Sequence, residues 1–316
     1  MNSILEKIVS EKGKEYDVAV MYSGGKDSAY LLYLLKEVYK LRVVAVMVDN
    51  GYEHDYTWEP MECFTKRLDV PLVVIKPEKE MFTKLFQILI MEHEKFARDG
   101  VNHICFICNN LLWCCVAKYA MENGIPYVVS GLSLAQLNSG RSKPLLPDEM
   151  ATSLAERSTR MIYRNAVESM KEVKVFRESQ EFQKFISDLG VAIKNVRTIY
   201  PYIYHSISVE DQKKCLQQMG WVPPSLRSVN DYISSGCRIM RGVVFELEKI
   251  GMITLNEREQ AKAMVKDKLM GEDQLAFAEK DVSNETVNLN TKELQELQVV
   301  DYLEKICQEK GKKYEK

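Results

Sequence analysis

No stretch of this sequence holds the roughly 18 consecutive apolar residues that a membrane-spanning helix requires. The opening residues, Met1-Asn2-Ser3-Ile4-Leu5-Glu6-Lys7, lack the basic-then-apolar order of an export signal. Both absences predict a cytoplasmic protein with no membrane partner. Without export, the 8 cysteines are not expected to build a disulfide framework, and in a reducing compartment spaced cysteines bind metal or react. Basic excess is missing too. Lys and Arg number 43 against 45 Asp and Glu, a formal net charge of -2 with a pI near 6.2. A dedicated nucleic-acid binder needs cations to neutralise phosphates, so the overall charge points to none, while a local basic patch stays open. The chain shows no internal repeat and no Walker-type phosphate loop.

What is present is a globular composition, 46% hydrophobic and 28% charged over 316 residues. That length holds one large α/β domain with an extension, or two modest domains. Short apolar runs predict strands at Asp17 to Tyr22, Arg42 to Val48, Pro71 to Ile75, Tyr127 to Ser130 and Thr198 to Ile203. Helical patterns lie between them: about Ile4 to Lys12, Ala29 to Lys36, Glu59 to Leu68, Glu80 to Arg98 and Asn109 to Asn123. Strands alternating with helices imply crossover connections and a parallel sheet covered on both faces. The expected fold is therefore α/β, a doubly wound, mainly parallel five-stranded sheet. Leu226, Val229, Ile233, Met240, Val244 and Leu247 predict a helix over 225–250. Ser283 to Asn290 reads as a linker, and Leu294, Leu297, Val299, Tyr302 and Ile306 as one last amphipathic helix, packed on the core or on a partner subunit. The chain divides into a main domain, 1–250, and a helical C-terminal extension, 251–316.

The strongest local signal is Ser23-Gly24-Gly25-Lys26-Asp27-Ser28, between the first strand and the first helix. Two glycines permit a tight turn and close backbone approach. The turn presents backbone N–H groups at a helix N-terminus, where the dipole favours an anion. Ser23 and Ser28 add hydroxyls and Lys26 a positive charge. Asp27 repels a bare phosphate unless it holds a metal or caps a backbone group. Val48-Asp49-Asn50-Gly51 ends the second strand on the same sheet edge, where doubly wound folds bind ligands, although a plain Asn-Gly turn also accounts for it. Gly131 follows the fourth strand on that edge.

The loop resembles the Ser-Gly-Gly-x-Asp-Ser signature of the PP-loop, or adenine nucleotide alpha-hydrolase-like, ATP pyrophosphatases. The resemblance implies that residues 23–28 hold the pyrophosphate end of ATP, accompanied by Mg2+. It implies as well that Val48 and Asp49 contact the adenosine, that Gly131 faces the nucleotide, and that Lys26 and Asp27 act in catalysis.

Cys105-Phe106-Ile107-Cys108 opens the helix before the fourth strand, where the spacing puts both sulfurs on one side and the helix dipole favours thiolates. Two ligands do not complete a metal site. With the stretch Ala117 to Gly124, Gly131, and Tyr200 to Asp211, this pattern is similar to the tRNA 2-thiocytidine and 2-thiouridine synthetases, over roughly residues 15 to 250. There a third cysteine follows, and Cys237 stands at its place. The resemblance implies a [4Fe–4S] cluster on Cys105, Cys108 and Cys237, with zinc as the alternative. Read from the residues alone, Cys237 lies on an apolar stripe and is equally a core thiol. Cys114 and Cys115 read as core, while Cys63, Cys215 and Cys307 carry no assignment.

The match breaks after the fourth strand. Relatives continue with Gly-His-x-x-Asp-Asp, whereas this chain has Gly131-Leu132-Ser133-Leu134-Ala135-Gln136. The flanking zinc ribbons of some members are missing too. A free nucleobase-containing or other small molecule then becomes the favoured substrate, tRNA the lesser one, with Gln136, Asn138, Arg141 and Lys143 as candidate contacts. The expected activity is adenylation of a carbonyl-type oxygen followed by thiolation, with release of pyrophosphate and AMP and a separate sulfur donor. Two alternatives stay open: an ammonia-using amidotransferase of the N-acetyl sugar type, and a non-catalytic nucleotide-binding regulator. A homodimer is the default expectation.

Overall fold

The computed structural model describes residues 8, 13–97, 102–132, 167, 170–171, 173–192, 196–203, 207–223, 236–273, 275 and 286–316. Five strands form one sheet: β1 (Val18–Met21), β2 (Val43–Val48), β3 (Leu72–Ile75), β4 (Tyr127–Val129) and β5 (Arg197–Ile199). Their order is β3-β2-β1-β4-β5 and every neighbouring pair is parallel. The expected α/β sheet is thus the one observed. β1 is central, in register with β2 (Val18 opposite Val43) and with β4 (Val18 opposite Tyr127).

Side chains alternate across each strand, and both faces are covered. Ala19, Val44, Val46 and Val128 join one hydrophobic cluster, while Val18, Val20, Val43, Ala45 and Val129 join another. The second face is roofed by α1 (Lys26–Tyr33), α2 (Trp58–Arg67) and α8 (Val209–Gln218). The first is roofed by α3 (Lys79–Met91), α4 (His93–Phe96) and α5 (His103–Glu122), with α6 (Lys174–Glu178) and α7 (Gln180–Ala192) outside α5. α5 spans 20 residues and is long and apolar enough to cross a bilayer by length and composition. It is instead a core helix, with Cys114, Val116, Ala117 and Ala120 fully buried. A helix apolar on all sides belongs in an interior.

Several boundaries differ from expectation for local reasons. α1 runs on into a π-helical turn at Leu34–Val38. β5 stops early, because Pro201 has no N–H for the ladder and begins a 3-10 turn, Pro201–Ile203. Leu226, Val229 and Ile233 of the expected 225–250 helix lie outside the described residues, as do the 4–12 helix apart from Ile8, and Gln136, Asn138, Arg141 and Lys143. Cys237 is not on a helical core stripe. It forms an isolated antiparallel bridge with Glu53, ahead of a π-helical turn (Met240–Val244) and α9 (Phe245–Ile250). α9 stops at Gly251, whose φ of 77° is left-handed.

The C-terminal region is more ordered than its composition suggests. After α10 (Asn256–Lys266), part of the expected linker is strand β6 (Val287–Asn288), paired in parallel with β7 (Tyr314–Glu315). Val287 and Leu289 are buried, which anchors that segment. The single expected helix is two, α11 (Lys292–Glu296) and α12 (Val300–Glu309), parted near Gln298 at φ 55°. Thr291 caps α11 by accepting from Leu294 N at 3.3 Å. Leu294, Leu297, Val299, Leu303 and Cys307 all sink into the cluster under the first sheet face. The core, not a partner subunit, covers them.

Two outcomes follow from this packing. Leu294→Ala should cost about 3 kcal/mol in urea unfolding, as for a buried leucine; a loss near zero would detach α11 from the core. Glu296 is raised by desolvation, yet the hydrogen bond from Lys79 and the charges of Lys79 and Arg238 hold its carboxyl below the usual value. A depressed pKa stabilises the fold above the unfolded value and is lost as pH falls through the folded one. Glu296→Gln should therefore cost about 1 kcal/mol at pH 7 for this partly exposed group, and nothing once acid has protonated the carboxyl, as measured by thermal unfolding across pH.

Candidate active site

β1 feeds directly into the Gly-rich loop at the switch in strand order, where β2 lies on one side and β4 on the other. Doubly wound sheets open a ligand crevice there. Gly24 adopts φ 75°, and Gly25 is the extended residue before α1. The first intrahelical bond runs from Ala29 N to Gly25 O at 3.0 Å. Helix geometry gives the preceding amides no intrahelical acceptor, which suits them to an anion.

The loop is braced from within. Ser28 Oγ accepts from Ser23 N at 3.2 Å and donates to Gly25 O at 3.1 Å. Lys26 Nζ contacts both oxygens of Asp27, at 2.7 and 2.8 Å. Asp27, awkward beside a phosphate when read from sequence, is thus the counter-charge of a nearly buried lysine. The loop is also braced from outside. Tyr202 Oη donates to Asp27 O at 2.6 Å and accepts from Gln212 Nε2 at 3.3 Å, and Trp221 Nε1 donates to Gly24 O at 3.0 Å. Burial pushes the Tyr202 phenol well up, which keeps it a neutral donor. Gly131 closes the other side. A Cβ there would stand 3.2 Å from the Asp27 carbonyl carbon and 3.3 Å from Ser28 N. Its observed neighbour is the loop backbone.

At the end of β2, Asp49 Oδ1 accepts from Gly51 N at 2.8 Å and Oδ2 lies 3.9 Å from Lys76 Nζ. Asn50 turns inward. Its Oδ1 accepts from Tyr52 N at 2.9 Å, and its Nδ2 donates to Cys108 Sγ at 3.5 Å. The Asn50 amide also draws the Cys237 thiol down, and Cys237 acts on Cys108, so the three side chains are neighbours. Burial drives the Cys108 thiol far up, and the neighbouring Cys237 adds to that; burial and then Glu53 push Cys237 to about 12. Glu53 itself is lifted to about 7 by burial and by Asp49, against the pull of Arg238. Both thiols are therefore neutral as they stand. A bound metal would reverse that, since coordination deprotonates a thiol.

Cys105 sits one helical turn before Cys108, with its N–H donating to the N-cap Asn102 Oδ1 at 3.2 Å. Its side chain is half-buried against the core. Among the described residues no group of three His, Cys, Asp or Glu side chains has a metal-holding geometry. Cys108 and Cys237 are brought together, but a closed three-cysteine site is not preformed. Cys114, Cys115 and Cys307 are core thiols.

Several residues here escaped the sequence reading. Asn50 was visible only as part of a turn. Glu53, Trp221 and Arg238 carry no motif, and Tyr202 was quoted only within the Tyr200 to Asp211 stretch with no role. Contacts more than 100 residues apart along the chain reveal Tyr202, Trp221 and Arg238. A separate cavity of about 970 Å³ lies between α3, α5 and α7, away from residues 23–28.

Similarity to known proteins is distant. A family described as one of unknown function (DUF7411) matches residues 16–112. An uncharacterized protein of Methanocaldococcus jannaschii is 26% identical over 271 residues, which is 83% of this chain and 76% of that protein. A probable sulfurtransferase of the same organism is 25% identical over 123 residues, 37% of this chain and 36% of its own length. Among solved structures, the U34-tRNA thiolase NcsA from Methanococcus maripaludis with its [4Fe-4S] cluster is similar at a TM-score of 0.40 and 15% identity, covering 90% of this chain and 80% of that one.

The packing of Gly131 generates a test. Gly131→Ala should push the loop by a few tenths of an ångström and weaken ATP binding about tenfold, a change of about 1.4 kcal/mol, with the melting temperature little altered. Calorimetric titration with ATP checks this; unchanged affinity would mean that the loop does not bind the nucleotide.

Proposed function

We propose that this chain is a PP-loop ATP pyrophosphatase that activates a carbonyl-type oxygen as its adenylate and replaces it with sulfur. The observation that carries the reading is the meeting of Cys108 and Cys237 over Asn50, one strand away from the phosphate loop on the same sheet edge. β2 pairs with β1, so the Asn50 turn beside these cysteines leaves the sheet on the strand next to the one that carries the loop. In this reading residues 1–250 form the ATP-pyrophosphatase domain and 251–316 its extension, in the cytoplasm, as a homodimer.

The β- and γ-phosphates of ATP, with Mg2+, enter the loop 23–28. Lys26 turns from Asp27 to the phosphates, which frees the Asp27 carboxylate; that carboxylate would hold Mg2+, whose charge would offset that of the phosphates. The substrate oxygen attacks the α-phosphorus as the bond to the β-phosphate oxygen breaks, and pyrophosphate leaves with its charge stabilised by Lys26, the loop amides and the Ser23 and Ser28 hydroxyls. Val48 and Asp49 border the adenosine, and Gly131 keeps the loop tight. A sulfur nucleophile from a donor then adds to the adenylated carbon, and AMP departs with the oxygen. Cys105, Cys108 and Cys237 would hold a [4Fe–4S] cluster, which supplies a site for the transferred sulfur. Cys108 and Cys237 are already neighbours, and Cys105, one helical turn before Cys108, would have to turn in to complete the set. A free nucleobase or related small molecule suits the -2 net charge and the missing acidic pair after Gly131 better than tRNA does.

Lys26→Ala should lower ATP-dependent pyrophosphate release about a hundredfold or more, with circular dichroism unchanged. Turnover at the parental rate would overturn the ATP assignment. Protein purified without oxygen should be brown and contain iron and acid-labile sulfide, and Cys237→Ser should lose both. Colourless protein with stoichiometric zinc would sink the sulfur arm and favour ammonia transfer instead.

A further inference from the structure

We infer that Arg238, gripped by Glu293 and Glu296 of α11, is a positioning residue that sets Cys237 against Cys108. Among the described residues, two backbone bonds flank Cys237 and join its segment to the β2 loop, His54 N to Gly236 O at 2.9 Å and Arg238 N to Tyr52 O at 2.7 Å. So short a pairing has little stability of its own. The side chain of Arg238 adds the rest. Its Nη1 donates to Glu293 Oε1 at 2.7 Å and stands 3.6 Å from Glu296 Oε2, and its Nη2 donates to Gly51 O at 3.4 Å. The guanidinium lies 5.3 Å from the ring centre of Tyr52, with Lys79 Nζ 5.1 Å from the same ring. Lys79 in turn pairs with Glu296.

Two cations and two carboxylates therefore balance around one buried tyrosine. Arg238 is 16% exposed and Glu293 12%. In such surroundings, removing one partner strands the others, so the network is held as a unit. The far end of the segment is fixed to the same helix: Thr291 Oγ1 donates to Gly242 O at 2.7 Å, and Gly242 leaves no room for a Cβ beside Glu293. α11 thus completes the wall that presents Cys237. This deepens the sulfur-transfer reading, which it rests on only for what Cys237 does, not for how it is held.

The test is residue-resolved alkylation of the full-length, metal-free, reduced protein with iodoacetamide, read by peptide mass spectrometry. In Arg238→Met, Cys237 should react roughly tenfold faster than in the parent, the mark of local opening. Exposed Cys63 should keep its rate, and Cys114 and Cys307 should stay protected. Glu293→Gln/Glu296→Gln should move Cys237 in the same direction, and Arg238→Lys should recover part of the protection. Parental reactivity of Cys237 in Arg238→Met overturns the inference. So does labelling of Cys114 and Cys307 in step with Cys237 in both variants, since that reports loosening of the whole core. If the parent takes up no iron and sulfide while the labelling pattern holds, the sulfur reading fails and the positioning role stands.

Discussion

The parallel pairing of β1 with β2 and β4 is the constraint from which the site follows. Parallel strands end together, so three segments far apart in sequence emerge on one edge: the loop after Met21, the turn after Val48 and the residue pair after Val129. Each strand is buried on both faces by helices that the crossovers require. The edge is therefore fixed by the least deformable part of the molecule. Gly131 can sit within van der Waals contact of the Asp27 backbone only because β1 and β4 are held in register.

Around this edge, later parts of the chain act as braces. Tyr202 and Trp221 reach main-chain carbonyls in the Gly-rich loop, and the 236–238 segment zips against residues 52–54. α11 then locks that segment through ion pairs. Catalytic precision depends on such supporting contacts as much as on the groups that touch substrate. The C-terminal helices share the hydrophobic cluster of the sheet, so they belong mechanically to the same body as the loop.

Much of this was legible in the residues. Apolar runs of strand length with glycine-bearing turns gave the five strands within a few residues, because buried parallel strands have little else to be. Ser23 to Ser28 announced a tight strand-to-helix turn, which is where the structure has it. Cys105 and Cys108 announced a helix start, correctly, although the helix begins two residues before them. Cys237 was harder. Its neighbours Ile233 and Met240 suggested a helical stripe, whereas tight packing of Gly236 against Thr57 and Glu53 selects an extended bridge. The network of Tyr52, Lys79, Arg238, Glu293 and Glu296 left no trace in sequence, since its members lie up to 244 residues apart and each looks like an ordinary surface charge or a core aromatic. The break at Gln298 was hidden for a similar reason: a left-handed φ at glutamine is imposed by the burial of Leu297 and Val299 on either side.

Trp221 has a consequence beyond support. Its indole N–H is spent on the carbonyl of Gly24. Of the 3 tryptophans, Trp58 packs against the same hydrophobic cluster as Trp221, under Lys76, and Trp113 lies in the cluster of the other sheet face. Indole emission responds to the polarity and rigidity of what surrounds the ring. A ligand that displaces the glycine turn would alter that surrounding, so Trp221 is a built-in optical gauge of movement in this loop, with no dye to attach.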